Sequence, residues 1–323
     1  MRAAVIGTGM MGPGIAMTLT LGGVEATILG RTEESAAKGL AMAHRQLDLL
    51  AAHDLVTQDQ VRFSRAHLRA STEFDAAVAE ADVVIESGPE EMAFKQELFE
   101  RLGQLAKPDA ILTSNTSGLS ITAMTERCAR PERTMTTHFW NPPHLMPLVE
   151  VVLGEKTDPA AAARMRDLLR QCGKTPVIVK KDTPGQLGNR MHMALVREAA
   201  HIVSEGIADT EEVDLAARMG FGLRLPMYGV LEHMDIVGLD MSKGILEYVA
   251  QDLYNGVDAP PRYRELVANG DLGAKTGQGF YDWTERSADE ARARRDGFVL
   301  QMLRWQRARN EEAATSSSAT PDQ

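Results

Sequence analysis

Residues 3 to 6, Ala-Ala-Val-Ile, form a short apolar run, and Gly7-Thr8-Gly9-Met10-Met11-Gly12 follows it at once. This G-x-G-x-x-G turn opens a small-residue helix, expected over about 12–21, which Gly22-Gly23 ends. A glycine turn in that position narrows the fold to a βαβ unit of the dinucleotide-binding kind. The first glycine permits the tight turn, the second lets backbone approach a pyrophosphate, and the third lets helix and strand pack closely. The helix amino terminus adds free N–H groups and the positive end of its dipole. Gly7, Gly9, Met10, Met11 and Gly12 are therefore the first candidate cofactor residues. A turn that binds nothing is the competing reading, and the flanking strand and helix argue against it.

The alternation continues. Strand candidates lie at 24–29, 82–86, 110–114, 134–140, 148–153 and 175–179, with helical spacing at about 33–52, 91–105 and 159–172. Strands alternating with helices of this length predict an α/β fold, a doubly wound, mostly parallel sheet with helices on both faces. After Asp182-Thr183-Pro184-Gly185 the β-branched runs cease, and Leu-, Ala-, Met- and Glu-rich helical stretches run to about Arg309. The expected domains are a Rossmann-type dinucleotide-binding domain over 1–183 and an all-α domain over 184–310. The polar, low-complexity end, 311–323, is expected to be disordered.

Composition excludes several classes. A chain of 323 residues with 35 basic and 45 acidic side chains, net −10, does not suggest a protein that coats nucleic acid. Its two cysteines, Cys128 and Cys172, make neither a disulfide framework nor a zinc cage, which fits a reducing cytoplasm and no metal. No apolar run reaches the ~20 residues of a membrane helix, and the first residues enter a strand directly, leaving no room for a signal peptide. The expectation is a soluble cytoplasmic protein whose partner is a small molecule, not nucleic acid or membrane.

The second strand of a dinucleotide fold should end in Asp or Glu to hold the adenosine ribose. Here it ends Ile28-Leu29-Gly30-Arg31-Thr32. Glycine offers no acceptor, while Arg31 and a hydroxyl are placed to meet a 2′-phosphate, so the reading favours NADP, or acceptance of either NAD or NADP. Arg31 stacking on adenine is the alternative.

Four further stretches belong together: Ser114-Asn115-Thr116-Ser117-Gly118, His138-Phe139-Trp140-Asn141-Pro142-Pro143, Pro147-Leu148-Val149-Glu150-Val151-Val152, and Lys181 to Gly185 with Gly188-Asn189-Arg190. Glu150 is the only charge in an apolar strand, and a lone buried carboxylate is costly unless paired. His138, twelve residues upstream on what could be an adjacent strand, is a plausible partner. A carboxylate on one imidazole nitrogen fixes the tautomer and makes the other a better proton acceptor. Singly, His138 reads as a core histidine, Ser117 as a helix cap and Asn189 as a helix-start hydrogen bonder. Beside a dinucleotide site they read as a catalytic set.

With these motifs in order, the chain resembles the L-3-hydroxyacyl-CoA dehydrogenase family over about residues 1 to 283. The match also takes in Lys275-Thr276-Gly277-Gln278-Gly279-Phe280-Tyr281. The resemblance implies that His138 moves the hydroxyl proton while hydride passes to the nicotinamide, that Glu150 orients His138, and that Ser117 and Asn189 hydrogen-bond the reacting substrate oxygen. It places Glu90, Lys95, Asn115 and Asn141 near the cofactor. It also implies a substrate cleft closed by the helical domain, a homodimer through that domain, and a place in fatty acid metabolism.

The departures bear on substrate and cofactor. The family usually has Asp where this chain has Gly30; Gln186 replaces an apolar residue after Pro-Gly; Trp140 adds bulk beside His138. Pro142-Pro143 and the run Asp289 to Arg309 look more like the gulonate and carnitine dehydrogenase relatives, which take small free polar 3-hydroxy acids. The leading expectation is interconversion of an L-3-hydroxyacyl-CoA and its 3-keto form. A free hydroxy acid is the alternative. A dinucleotide-binding protein without turnover is the third reading; it predicts decay of the proton shuttle, yet Ser117, His138, Glu150 and Asn189 are all present.

Overall fold

The computed structural model describes the backbone of residues 1–318 and the side chains of residues 1–309. Eight strands share one sheet: β1 (Arg2–Ile6), β2 (Glu25–Leu29), β3 (Leu68–Ser71), β4 (Val83–Glu86), β5 (Ile111–Ser114), β6 (Thr134–Phe139), β7 (Leu148–Leu153) and β8 (Thr175–Val179). Their order is β3-β2-β1-β4-β5-β6-β7-β8, and every neighbouring pair is parallel except β6 with β7. The first six strands have the order of a dinucleotide-binding sheet, with its direction of growth reversing between β1 and β4.

Helices α1 (Gly12–Leu21), α2 (Glu33–Ala52), α3 (Gln58–His67), α4 (Phe74–Glu80), α5 (Met92–Leu105), α6 (Ile121–Met124) and α7 (Pro159–Gln171) connect the strands. Residues of β4, β5 and β6 are buried throughout, as strands covered on both faces must be. The alternation of side chains sorts the core into two clusters. Ala3 and Val5 join Ile15, Leu47 and Met165 from α1, α2 and α7. Ala4, which points the other way, joins Val78, Phe99 and Ile121 from α4, α5 and α6.

The expected strands and helices of this part are all present within a residue or two, and β3, α3, α4 and α6 are additions. Leu68-Arg69-Ala70-Ser71 carries no β-branched residue and lies at the sheet edge, so it has little of the apolar signature that marked the others. The α3 start was signalled by the capping box of Thr57 and Gln60.

The chain divides into two compact units, 1–188 together with the stretch from Arg294 onward, and 189–293. The second unit is helical: α8 (Gly188–Ser204) leads into α9 (Thr210–Met219), α10 (Val230–Val237), α11 (Leu239–Val249) and α12 (Pro261–Ala268). Two differences from the sequence reading follow. The helical unit does not extend to 310, because the last helix, α13 (Ala288–Ser318), returns to the first unit. Leu300 enters the Ile15 cluster, and Arg304 donates to the His53 carbonyl at 2.7 Å, just past the end of α2, where helical carbonyls lack partners. At its far end α13 runs to Ser318, within the stretch expected to be disordered, and 319–323 lie outside the described residues. Among the described residues no helix is long and apolar enough to cross a membrane.

Candidate active site

At the carboxyl ends of β1, β2, β4 and β5 lies a cavity of about 740 Å³ whose lining includes Gly7, Gly9, Met10, Met11, Arg31, Glu90, Lys95, Asn115 and Ser117. Three observations fit it to a dinucleotide. Gly7 has φ +120°, and a Cβ there would overlap the Ser87 carbonyl oxygen. A Cβ on Gly12 would overlap the Gly7 carbonyl, so the third glycine sets the approach of α1 to β1. A Cβ on Gly9 would meet nothing within 4 Å, leaving open space where a pyrophosphate needs it. In addition, no side chain caps α1, whereas Thr32 caps α2 and Thr57 caps α3; the α1 amides therefore stay available to an anion.

Gly30 has a packing reason of its own. A Cβ at this position would lie 2.7 Å from the Ala36 amide nitrogen and 2.9 Å from its Cα, so the amino-terminal turn of α2 excludes any side chain. Thr32 and Ser35 exchange hydrogen bonds as a capping box, and Arg31 is exposed on the cavity rim.

The proton-moving pair lies one strand further on. The antiparallel register sets His138 of β6 directly opposite Glu150 of β7, and His138 Nδ1 donates to Glu150 Oε2 at 2.7 Å. Glu150 is fully buried, and three more donors meet its carboxylate: Trp140 Nε1 at 3.0 Å on Oε2, and the amides of Leu187 at 2.9 Å and Gly188 at 2.8 Å on Oε1. Burial alone would push the carboxyl up; the hydrogen bonds, His138's foremost, outweigh it and hold the group down at about 2. Glu150 is thus an anion at any working pH. Facing an anion, Nδ1 keeps its proton, which leaves the Nε2 lone pair as the proton acceptor.

The connection between β6 and β7 is held from below. Lys174 Nζ donates to the carbonyls of Pro143 at 2.6 Å and Met146 at 3.0 Å, and burial pushes this ammonium down to about 8. Asn115 ties β5 to β6: its Oδ1 accepts the Phe139 amide at 2.8 Å, so the carboxamide sits between the cavity and the His138 strand. Glu90 accepts from Thr116 Oγ1 and from the Ser117 amide, which orders the turn that carries Ser117.

Lys95 and Asn141, both expected near the cofactor, have different surroundings. Lys95 reaches the cavity wall but is buried, with Nζ 2.7 Å from both oxygens of Glu86; it shapes the wall from inside. Asn141 is exposed, in the β6–β7 connection, and is not among the residues lining the cavity. Asn189 opens the second unit, next to Gly188 on α8.

Four participants were not read from sequence. Trp140 was seen as bulk, and its indole N–H proves to share Glu150 Oε2 with His138. The Leu187 and Gly188 amides bond the other oxygen; a lone charge in an apolar strand signals that donors exist but not which backbone supplies them. Gln186, with φ +54°, is 5% exposed and donates to the Thr116 carbonyl at 3.0 Å, so its polarity joins two turns and does not line the cavity.

Comparison with known proteins completes this description. Residues 2–183 match the family described as 3-hydroxyacyl-CoA dehydrogenase, NAD binding domain, and residues 185–283 match its C-terminal domain. The chain is 36% identical over 296 residues to 5-formyl-3-hydroxy-2-methylpyridine 4-carboxylate 5-dehydrogenase of Mesorhizobium japonicum, covering 90% of this chain and 94% of that one. It is 35% identical over 285 residues to a probable 3-hydroxybutyryl-CoA dehydrogenase of Deinococcus radiodurans, covering 88% and 100%. Among solved structures, that of an NAD⁺-dependent dismutase, the same kind of pyridine carboxylate dehydrogenase, superposes with a TM-score of 0.86 at 33% identity, covering 94% of this chain and 97% of that one.

Proposed function

The chain belongs to the 3-hydroxyacyl-CoA dehydrogenase family of NAD-dependent oxidoreductases, and from that premise we propose that it interconverts an L-3-hydroxyacyl-CoA and its 3-ketoacyl-CoA. The observation that carries the reading is the buried Glu150 carboxylate bonded to His138 Nδ1 at 2.7 Å, one strand away from the wall of a dinucleotide-sized cavity. That cavity would hold the nicotinamide cofactor, which would supply the two-electron acceptor for the carbinol hydride. His138 Nε2 takes the hydroxyl proton as the carbonyl forms, and returns it when the reaction runs backward. Glu150 stabilises the imidazolium so created. Ser117 holds the reacting oxygen, the Asn115 carboxamide braces the cavity against the His138 strand, and Arg31 meets the adenosine end. The glycine turn and the bare α1 amides hold the pyrophosphate. Steady-state reduction of acetoacetyl-CoA tests the assignment; an enzyme that binds cofactor yet turns over no 3-keto compound would sink it.

A second reading has a specific observation in its favour. The pyridine carboxylate dehydrogenase structure superposes on 94% of this chain with a TM-score of 0.86. It supports a compact free carboxylate in place of the thioester.

For the cofactor, we favour acceptance of NADP beside NAD. In support, the backbone of Ala36 leaves no room at position 30 for the carboxylate that would repel a 2′-phosphate, while Arg31 stands on the rim. Arg31→Ala is expected to weaken NADPH binding by about 10- to 100-fold and to spare NADH, since a charge-assisted contact contributes roughly 1.5–3 kcal/mol. Fluorescence titration with both cofactors checks this, and equal losses would mean that Arg31 only stacks on adenine.

We also propose a cytoplasmic homodimer formed through the second unit. Helices α9, α10 and α11 bury no residue within the chain, and Leu231 and Tyr248 are 80% and 79% exposed. Apolar faces of that extent mark association surfaces. Cys128 and Cys172 are free thiols, in keeping with a reducing compartment.

A further inference from the structure

Trp140 and His138 converge on one oxygen of Glu150. Trp140 Nε1 donates to Oε2 at 3.0 Å and His138 Nδ1 to the same atom at 2.7 Å, with the two ring centroids 5.9 Å apart. The indole is held there by the chain itself. A Cβ on Gly188 would lie 2.5 Å from Trp140 Cζ2, so a side chain at 188 is incompatible with the present ring position. Gly188 in turn gives its own amide to Oε1 of the same carboxylate. Trp140, Gly188 and Glu150 therefore form one built unit around the nitrogen that His138 does not use for chemistry.

We propose that Trp140 is a positioning residue that sets the basicity of His138: its N–H draws negative charge from the oxygen that faces the imidazole. This rests on the reading of His138 as the general base. An acceptor oxygen shared between two donors stabilises the imidazolium less than one devoted to it, so the indole keeps the imidazole a weaker base than Glu150 alone would make it. Of the buried charged groups of the first unit, two sets are bonded elsewhere. β8 places Val177 opposite Glu150. The Glu86–Lys95 pair is engaged with Ser114 of β5 through Glu86 Oε2, and Lys174, just before β8, is engaged with the carbonyls of Pro143 and Met146.

The test is the pH dependence of kcat/KM for Trp140→Phe, which keeps a ring and removes the N–H. Oxidation needs neutral His138 and reduction needs its protonated form, so the limb assigned to His138 should move to higher pH in both directions by roughly 0.5–1 unit. Gly188→Ala, which displaces the indole from outside, should move it the same way by less. Cofactor titration on each variant reports that the dinucleotide half is intact; should Trp140→Phe not fold, the Gly188→Ala profile decides. Coincident profiles, or a uniform fall in kcat with an unmoved midpoint, overturn the proposal and leave Trp140 as packing. Failure of the underlying reading looks different: His138→Ala would stay active, and no limb would vanish with it.

Discussion

His138→Ala is expected to lower turnover by about 10²–10⁴-fold while cofactor affinity stays close to that of the parent, because general acid–base catalysis contributes on that scale and binding does not use the imidazole. His138 is not among the residues lining the dinucleotide cavity. The substitution is also tolerable structurally. Glu150 loses one of four donors and keeps the Trp140 indole and the amides of Leu187 and Gly188, so its charge remains compensated. Steady-state rates beside a cofactor titration separate the two effects. Parallel loss of rate and affinity would mean that His138 supports the fold and is not the proton carrier.

Gly12→Ala should reduce cofactor affinity on the order of 10²-fold. The added methyl would overlap the Gly7 carbonyl oxygen and lie 3.0 Å from its carbon, both backbone atoms of the same turn. Backbone cannot rotate aside as a flexible side chain can, so α1 must shift and carry its uncapped amides away from the phosphates. Overpacking of this kind costs ~1–3 kcal/mol, which reaches that factor at its upper end. Gly9→Ala provides the contrast. Its methyl meets nothing in the protein, so folding should be undisturbed while the methyl occupies the space a pyrophosphate needs. Calorimetric binding together with thermal unfolding distinguishes them: a stability loss for Gly12→Ala, and an affinity loss without one for Gly9→Ala. Unchanged NADH affinity in both variants would contradict the placement of the cofactor.

These residues also show which parts of the molecule are legible in sequence. Gly7, Gly9 and Gly12 announced themselves, because a strand, a glycine turn and a helix at that spacing have few other uses. Glu150 was legible for an energetic reason: one charge in an apolar strand demands a partner, and an antiparallel β6–β7 register supplies His138. The antiparallel step itself was not visible, nor were the remaining donors, since the amides of Leu187 and Gly188 reach Glu150 only after the chain turns back past β8. Gly30 was legible as a missing acid, but its cause, the Ala36 backbone against it, needed coordinates. The return of α13 was hidden for a similar reason. Its amphipathic character is weak, and Leu300, Arg304 and Arg307 acquire meaning only against Ile15's cluster and the carbonyls of His53 and Asp54.

Hydride exchange on a 3-hydroxyacyl thioester at the His138–Glu150 pair is decided by the steady-state reduction of acetoacetyl-CoA with NADH, run beside free acetoacetate. Saturable turnover of the thioester that disappears in His138→Ala is the expected result. Turnover of the free acid alone, or of neither compound by a protein that binds NADH, would contradict it.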